Sequence, residues 1–257
     1  MCAIKPDRPA EGLNPPARSA IHRGRAITDL LTITAQSLSA EKVTEIGLLI
    51  TFLVISLGLH EAAHAWAALK CGDPTGRDLG RISLNPIVHI DPFMTILLPA
   101  MLYWSTGMMF GGAKPVPVNF YNLRRPHRDM AIVAIAGPLT NVLLAVFFWF
   151  LYKLLVLELG IWPNDAVGAR VMVNATLFNL LLAAFNMIPI PPLDGSRVMA
   201  WLLPPSLREG YRRMEGVGMM AIFLLIFFVP GFSGVLWDTI RTMLRAVEYS
   251  VSLGGLW

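Results

Sequence analysis

Long apolar runs alternate along the chain with short polar stretches rich in glycine, proline and charge. The first run, TEIGLLITFLVISLGLHEAAHAWAALK, covers residues 44–70. At about 1.5 Å of rise per residue it matches a hydrocarbon core of about 30 Å with some tilt, which predicts a membrane-crossing helix. A second run, 93–112, is interrupted by Pro99, Gly107 and the Gly111-Gly112 pair, and is predicted either to span or to dip in and return. Runs at 130–157 and 169–188 predict two more spans, and an apolar block at 214–237 with an amphipathic tail closes the chain. This pattern predicts an all-α polytopic membrane protein with about five to six transmembrane or re-entrant helical segments.

The polar stretches refine that picture. Residues 71–92, dense in Gly, Asp, Asn and Pro, predict turns and short strands rather than helix. In KPVPVNF, residues 114–120, each proline removes a donor that an interior strand needs, so an edge strand is predicted, and with it short β-like loops near the functional site. Lys114, Arg124, Arg125 and Arg128 make this the densest basic loop, which the positive-inside rule places in the cytoplasm together with Arg197, Arg208, Arg212 and Arg213. Residues 158–168 carry Glu158 and Asp165 without a basic residue, which suits the outer side.

Composition supports the membrane assignment, with 55% hydrophobic and 15% charged residues. The formal charge of +4 does not imply nucleic acid, because the basic residues flank apolar runs, where they set topology. Cys2 and Cys71 match no zinc or redox spacing and read as free thiols. Residues 1–25 are Pro- and Arg-rich without the apolar stretch of a signal peptide, and His22 there is expected to be solvated. The expected organisation is a mobile basic tail and surface segment over 1–43 and a single membrane-embedded domain over 44–257. The cluster of Met214, Met219 and Met220 is expected to pack against core or lipid.

Chemistry concentrates in the first run. His60 and His64 are four residues apart and share one helix face, so both imidazoles can reach one ion, and Glu61 can lean over that ion without filling a coordination place. This is the H-E-x-x-H arrangement of a zinc hydrolase; the competing reading is a polar seam between helices. Burying three ionisable groups at membrane depth is costly without such a purpose. His89, beside Asp91 in a loop, is a weaker ligand candidate, most simply a hydrogen-bonding residue. His127 reads as a headgroup-level residue.

A catalytic zinc site usually has three protein ligands and one open position. Asp194 is the best candidate for the third. Pro189, Pro191 and Pro192 break the preceding helix at membrane depth, and Gly195 permits a tight turn, although a plain Asp-Gly turn has the same residues.

Taken together, His60-Glu61-x-x-His64, Gly137-Pro138-x-x-Asn141 and Asn186-x-x-Pro189-x-x-x-Leu193-Asp194-Gly195 resemble the site-2 protease family of intramembrane zinc metalloproteases, over residues 44 to about 200. The chain looks most like the short bacterial branch, without the PDZ or CBS domain that many relatives append. The resemblance implies Zn2+ held by His60, His64 and Asp194, with Glu61 as general base. Asn141 and Asn186 are implied to hold the substrate main chain or the oxyanion, with interhelical hydrogen bonding as the alternative for Asn141. The implied substrate is a transmembrane segment of another protein, and the implied location is a bacterial inner membrane with the site toward the cytoplasm. Pairing of an extended substrate with residues 115–120, near Val116 and Val118, is one expected route to an exposed scissile bond. Access is expected to be controlled by helices 214–237 or a regulatory membrane partner.

Two competing functions share these residues: a zinc-binding membrane scaffold or transporter without hydrolysis, and a hydrolase of lipid or small amide substrates. One topological conflict also arises. If 93–112 crosses fully, the motif helix ends outside and Asp194 cannot reach it. A re-entrant 93–112 closes the site but puts the basic tail outside, against the charge rule, unless a hairpin near 28–42 intervenes.

Overall fold

The computed structural model describes residues 40–83, 85–106, 112–229 and 231–252. Most of the expected tail and surface segment, with Cys2, His22 and the glycines at 107 and 111, lies outside the described residues. The chain divides into two units, Met1–Thr44 and Glu45–Trp257; of the first, the described residues 40–44 form the opening turn of a helix.

Among the described residues the regular structure is entirely helical. The principal helices are α1 (Ala40–Cys71), α2 (Leu98–Thr106), α3 (Pro126–Tyr152), α4 (Val167–Asn186), α5 (Asp194–Leu202), α6 (Pro205–Arg212), α7 (Glu215–Phe228) and α8 (Phe232–Ser252). A π-helical turn, Lys153–Glu158, extends α3, and another, Pro92–Leu97, leads into α2. Three helices are long and apolar enough to cross a membrane: α1, α3 with its extension, and α4. The protein is an all-α membrane protein.

These three helices frame the site. Glu45 near the start of α1 pairs with Arg170 near the start of α4 at 3.1 Å, and Ser56 and Asn179 meet further along, so α1 and α4 run parallel. Leu49, Leu53 and Leu57, one turn apart on α1, pack against Val171, Phe178 and Leu182 of α4. Ala67 and Ala68 let the far end of α1 approach Val133 of α3. In a bilayer such contacts hold through close packing rather than removal from water, which is why small residues sit where backbones approach. On the other flank, Ile240 and Val247, seven apart on α8, pack on Ala145 and Leu180.

The segment between α1 and α3 leaves and returns at the same end of the bundle. The Arg124 N–H donates to the Cys71 carbonyl at 3.1 Å, joining the end of α1 to the start of α3. In between, the Tyr103 hydroxyl reaches Glu45 at 2.8 Å, near the opposite end of α1. The chain then comes back: the Thr95 hydroxyl donates to the Gly112 carbonyl at 2.6 Å, and the Lys114 N–H to the His89 carbonyl at 2.9 Å. The helical stretch 92–106 therefore does not carry the chain across the bundle, and the His60–His64 turn of α1 lies beside Asp194.

Two expectations are corrected, the strands of 71–92 and the edge strand at 114–120. Residues 71–92 hold one-turn helices, Thr75–Asp78 and Pro86–His89, and no strand among those described. KPVPVNF is not an edge strand, because no neighbouring strand exists for it to border among the described residues; the Val116 and Asn119 N–H groups bond to side chains, Glu61 and Asp73. The block 214–237 is two helices, α7 and α8, separated where Gly231 adopts φ of +89°, a conformation that breaks the helix and suits glycine. Of the three methionines expected to pack there, Met214 and Met220 are exposed in the chain, and the Met219 side chain lies outside the described residues.

Candidate metal centre

The helical repeat places His60 and His64 on one face of α1, both buried. Asp194 comes to them from the first position of α5. The chain gets there because α4 ends at Asn186 and the following prolines cannot continue its hydrogen bonding. Leu193 is extended at φ −65°, ψ 156°, and the next residue opens α5. Gly195 lies so close under the end of α4 that a Cβ would overlap the Met187 carbonyl, so this turn requires glycine.

The three side chains converge. Nε2 of His64 lies 3.0 Å from Nε2 of His60, and Oδ2 of Asp194 lies 3.2 Å from the first and 3.4 Å from the second. One ligand atom from each falls within 4.8 Å of the others. The outer face of each ring is fixed by an oxygen: Nδ1 of His64 donates to the Val133 carbonyl at 2.7 Å, and Nδ1 of His60 to Oδ1 of Asn141. Each Nδ1 thus keeps its proton, and each Nε2 turns a lone pair inward. Two inward lone pairs face a buried carboxylate oxygen that has no hydrogen-bond partner. Such a cluster of acceptors is repulsive unless a cation lies among them, and two imidazoles with one carboxylate suit zinc.

The wall opposite is equally specific. A Cβ on Gly137 of α3 would overlap Nε2 of His64 and come within 2.6 Å of Nε2 of His60, so any side chain there would intrude on the ligand atoms.

A cavity of about 220 Å³ opens beside these groups, lined by His60, Glu61, His64, Val116, Asn186 and Asp194 among others. Glu61 reaches it without joining the ligand cluster, and its Oε2 accepts a 2.8 Å hydrogen bond from the Val116 N–H. Asn186 also lines the cavity and donates to the Leu182 carbonyl at 3.0 Å. Asn141 does not accompany it: fully buried behind His60, it uses its Nδ2 on Oδ1 of Asn179 at 2.9 Å. His89 is buried and lies outside the ligand cluster.

Residues that sequence reasoning passed over support the site from behind. Asn179 donates to the Ser56 hydroxyl at 3.0 Å, so Ser56, Asn179, Asn141 and His60 form one buried polar chain. Asn179 stands seven residues before Asn186 on the same face of α4, the available signal. Asp73 is the second such residue. One carboxylate oxygen accepts from Thr75 and Asn122 and the other from the Asn119 N–H at 2.7 Å, which ties the loop bearing Val116 to the end of α1. Burial acts to raise the Asp73 carboxyl, and these hydrogen bonds outweigh it, leaving it below the usual carboxylate range.

Comparison with known proteins agrees with this chemistry. The chain is 38% identical to YwhC of Bacillus subtilis over 195 residues, 75% of this chain and 85% of that protein. It is 29% identical to Rip2 of Mycolicibacterium smegmatis over 181 residues, 70% of this chain and 66% of that one. A stretch of 108 residues is 42% identical to MJ0611 of Methanocaldococcus jannaschii, 38% of this chain and 53% of that one. All three are named, provisionally, as zinc metalloproteases. No family model and no solved structure matches the chain. On the extent of its match to YwhC, the chain belongs to this zinc metalloprotease family.

Proposed function

We propose that the protein is an intramembrane zinc protease of the site-2 kind, which hydrolyses a peptide bond within or near a transmembrane segment of another membrane protein. The observation that carries the reading is the placement of Glu61. Its carboxylate lines the same cavity as the three ligand atoms, inside a helix apolar enough to cross a membrane.

In this reading His60, His64 and Asp194 would hold zinc, which when bound would supply Lewis acidity toward the scissile carbonyl and lower the pKa of water toward neutrality. The Glu61 carboxylate, in the wall of the same cavity, is placed to act as general base toward water and to return the proton to the departing nitrogen. Val133 and Asn141 keep the Nδ1 protons on the two histidines, so both Nε2 atoms stay available. Asn186, in the cavity wall, holds the substrate main chain. The basic stretches 114–128 and 197–213 lie at the end of the bundle that carries the site, which by the positive-inside rule faces the cytoplasm. In a bacterial cell that membrane would be the inner one.

A scaffold or transporter would have no use for a carboxylate beside the ligands. The test is zinc content and cleavage of a panel of single-span proteins by wild type and Glu61→Gln in lipid nanodiscs. Zinc in both with cleavage by wild type alone is expected; zinc in both with cleavage by neither favours the scaffold.

A further inference from the structure

A second cavity, about 170 Å³, adjoins the first and shares Val118, Met130, Pro192 and Arg197 with it. Its walls bring together aromatic and cationic groups: Phe120, Trp201, Tyr211 and Arg212, with His127 edge-on to Phe120 at 5.1 Å. The Arg212 guanidinium lies over the Phe120 ring, 5.2 Å from its centroid. Glu215 is the acid in the lining, against two arginines.

Arg197 links the two cavities. It lies three residues after Asp194 on α5, hence on a neighbouring strip of the same helix face. Its polar contact is the Met130 thioether at 3.9 Å, and among the described residues no carboxylate pairs with it. Two neighbouring arginines on α6 and just after it are engaged: Arg208 bonds the Leu203 and Trp201 carbonyls, and Arg213 pairs with Glu209. A guanidinium at the junction of the reaction cleft and an aromatic-walled cavity has the fork geometry that receives a carboxylate with two parallel hydrogen bonds.

Resting on the protease reading, we infer that this second cavity is a substrate side-chain subsite, in which Arg197, with Arg212 behind it, receives an Asp or Glu of the substrate. An extended peptide advances about 3.3 Å per residue, and one helical turn is about 5.4 Å, so the acid lies about two residues from the scissile bond. The substrate class is thus a membrane segment whose cleavage region borders an acidic residue. A bound lipid headgroup offers a similar negative charge, but the walls shared with the reaction cleft favour the peptide being processed.

Binding tests this apart from hydrolysis. Zinc-loaded Glu61→Gln protein in nanodiscs of neutral phosphatidylcholine is titrated with single-span peptides that carry Glu or Gln at each position within about four residues of the cleavage region. At one position Glu binds about ten- to a hundredfold tighter than Gln, and adding Arg197→Gln erases that ratio. Arg197→Glu reverses the preference toward a Lys peptide at the same position, a gain that misfolding cannot produce. Equal binding of Glu and Gln peptides at every position, or a ratio unchanged by Arg197→Gln, overturns the inference. So does an Arg197-dependent requirement for anionic phosphatidylglycerol with no effect of peptide charge, which would assign the cavity to lipid. A Glu preference that depends on Arg197 without cleavage by the wild-type protein would uphold the subsite and count against the protease reading alone.

Discussion

The backbone N–H of Val116 donates a 2.8 Å hydrogen bond to Oε2 of Glu61, so the proposed base is steadied by the loop that forms one wall of its cavity. Proline at 116 keeps the wall and removes the donor. Val116→Pro should retain zinc and lower kcat/KM about tenfold, the effect of losing one hydrogen bond to a charged group. Unchanged cleavage would show that the contact does not orient Glu61.

The two asparagines that looked alike in the sequence should behave differently. Asn141→Ala leaves Nδ1 of His60 without its acceptor, and loss of such a partner typically weakens metal binding about 10- to 100-fold. Asn186→Ala should leave zinc affinity unchanged and reduce cleavage. Competition with a calibrated chelator separates the two effects from turnover; equal zinc affinities in the two variants would contradict the assignment.

Gly137→Ala offers a test in which local propensity and function oppose each other. Alanine favours a helix interior over glycine by about 1 kcal/mol, yet its methyl would fall against Nε2 of both histidines. The variant should keep its helical circular dichroism and bind zinc poorly. Full zinc content with normal activity would contradict the geometry described for this wall.

Asp73 predicts a pH dependence. Its carboxyl is held below the usual range when folded, so its contribution is fully present above the unfolded value of about 3.9 and is lost as pH falls through the lower folded value. The clamp on Asn119 and Asn122 should therefore be intact at neutral pH and open in strong acid. Asp73→Asn should cost about 2 kcal/mol and increase hydrogen exchange at the Asn119 amide already at pH 7. Protection at Asn119 equal to wild type would remove Asp73 from the account.

Much of the site was legible because its spacing is local. His60, Glu61 and His64 lie within two turns of one helix, and the prolines before Asp194 announce a broken helix at membrane depth. What stayed hidden depends on partners distant in sequence. A lone Asn179 in an apolar helix does not reveal that it bonds Ser56, 123 residues away, because the rotation of the helix is set by packing. KPVPVNF has the alternation of a strand, but a strand exists only with a neighbour, and its Val116 and Asn119 N–H groups found carboxylates instead. Whether 93–112 crossed or returned turned on contacts such as Thr95 with Gly112, which no hydropathy pattern contains.

The measurement that bears most directly on the central claim is the position of the cut. Purified protein and a single-span substrate would be placed together in proteoliposomes and the products read by intact-mass spectrometry, with Glu61→Gln in parallel. The account predicts two fragments whose new ends fall within or at the border of the membrane segment, with none formed by the variant. Fragments ending only in soluble loops, or formed equally by Glu61→Gln, would contradict it.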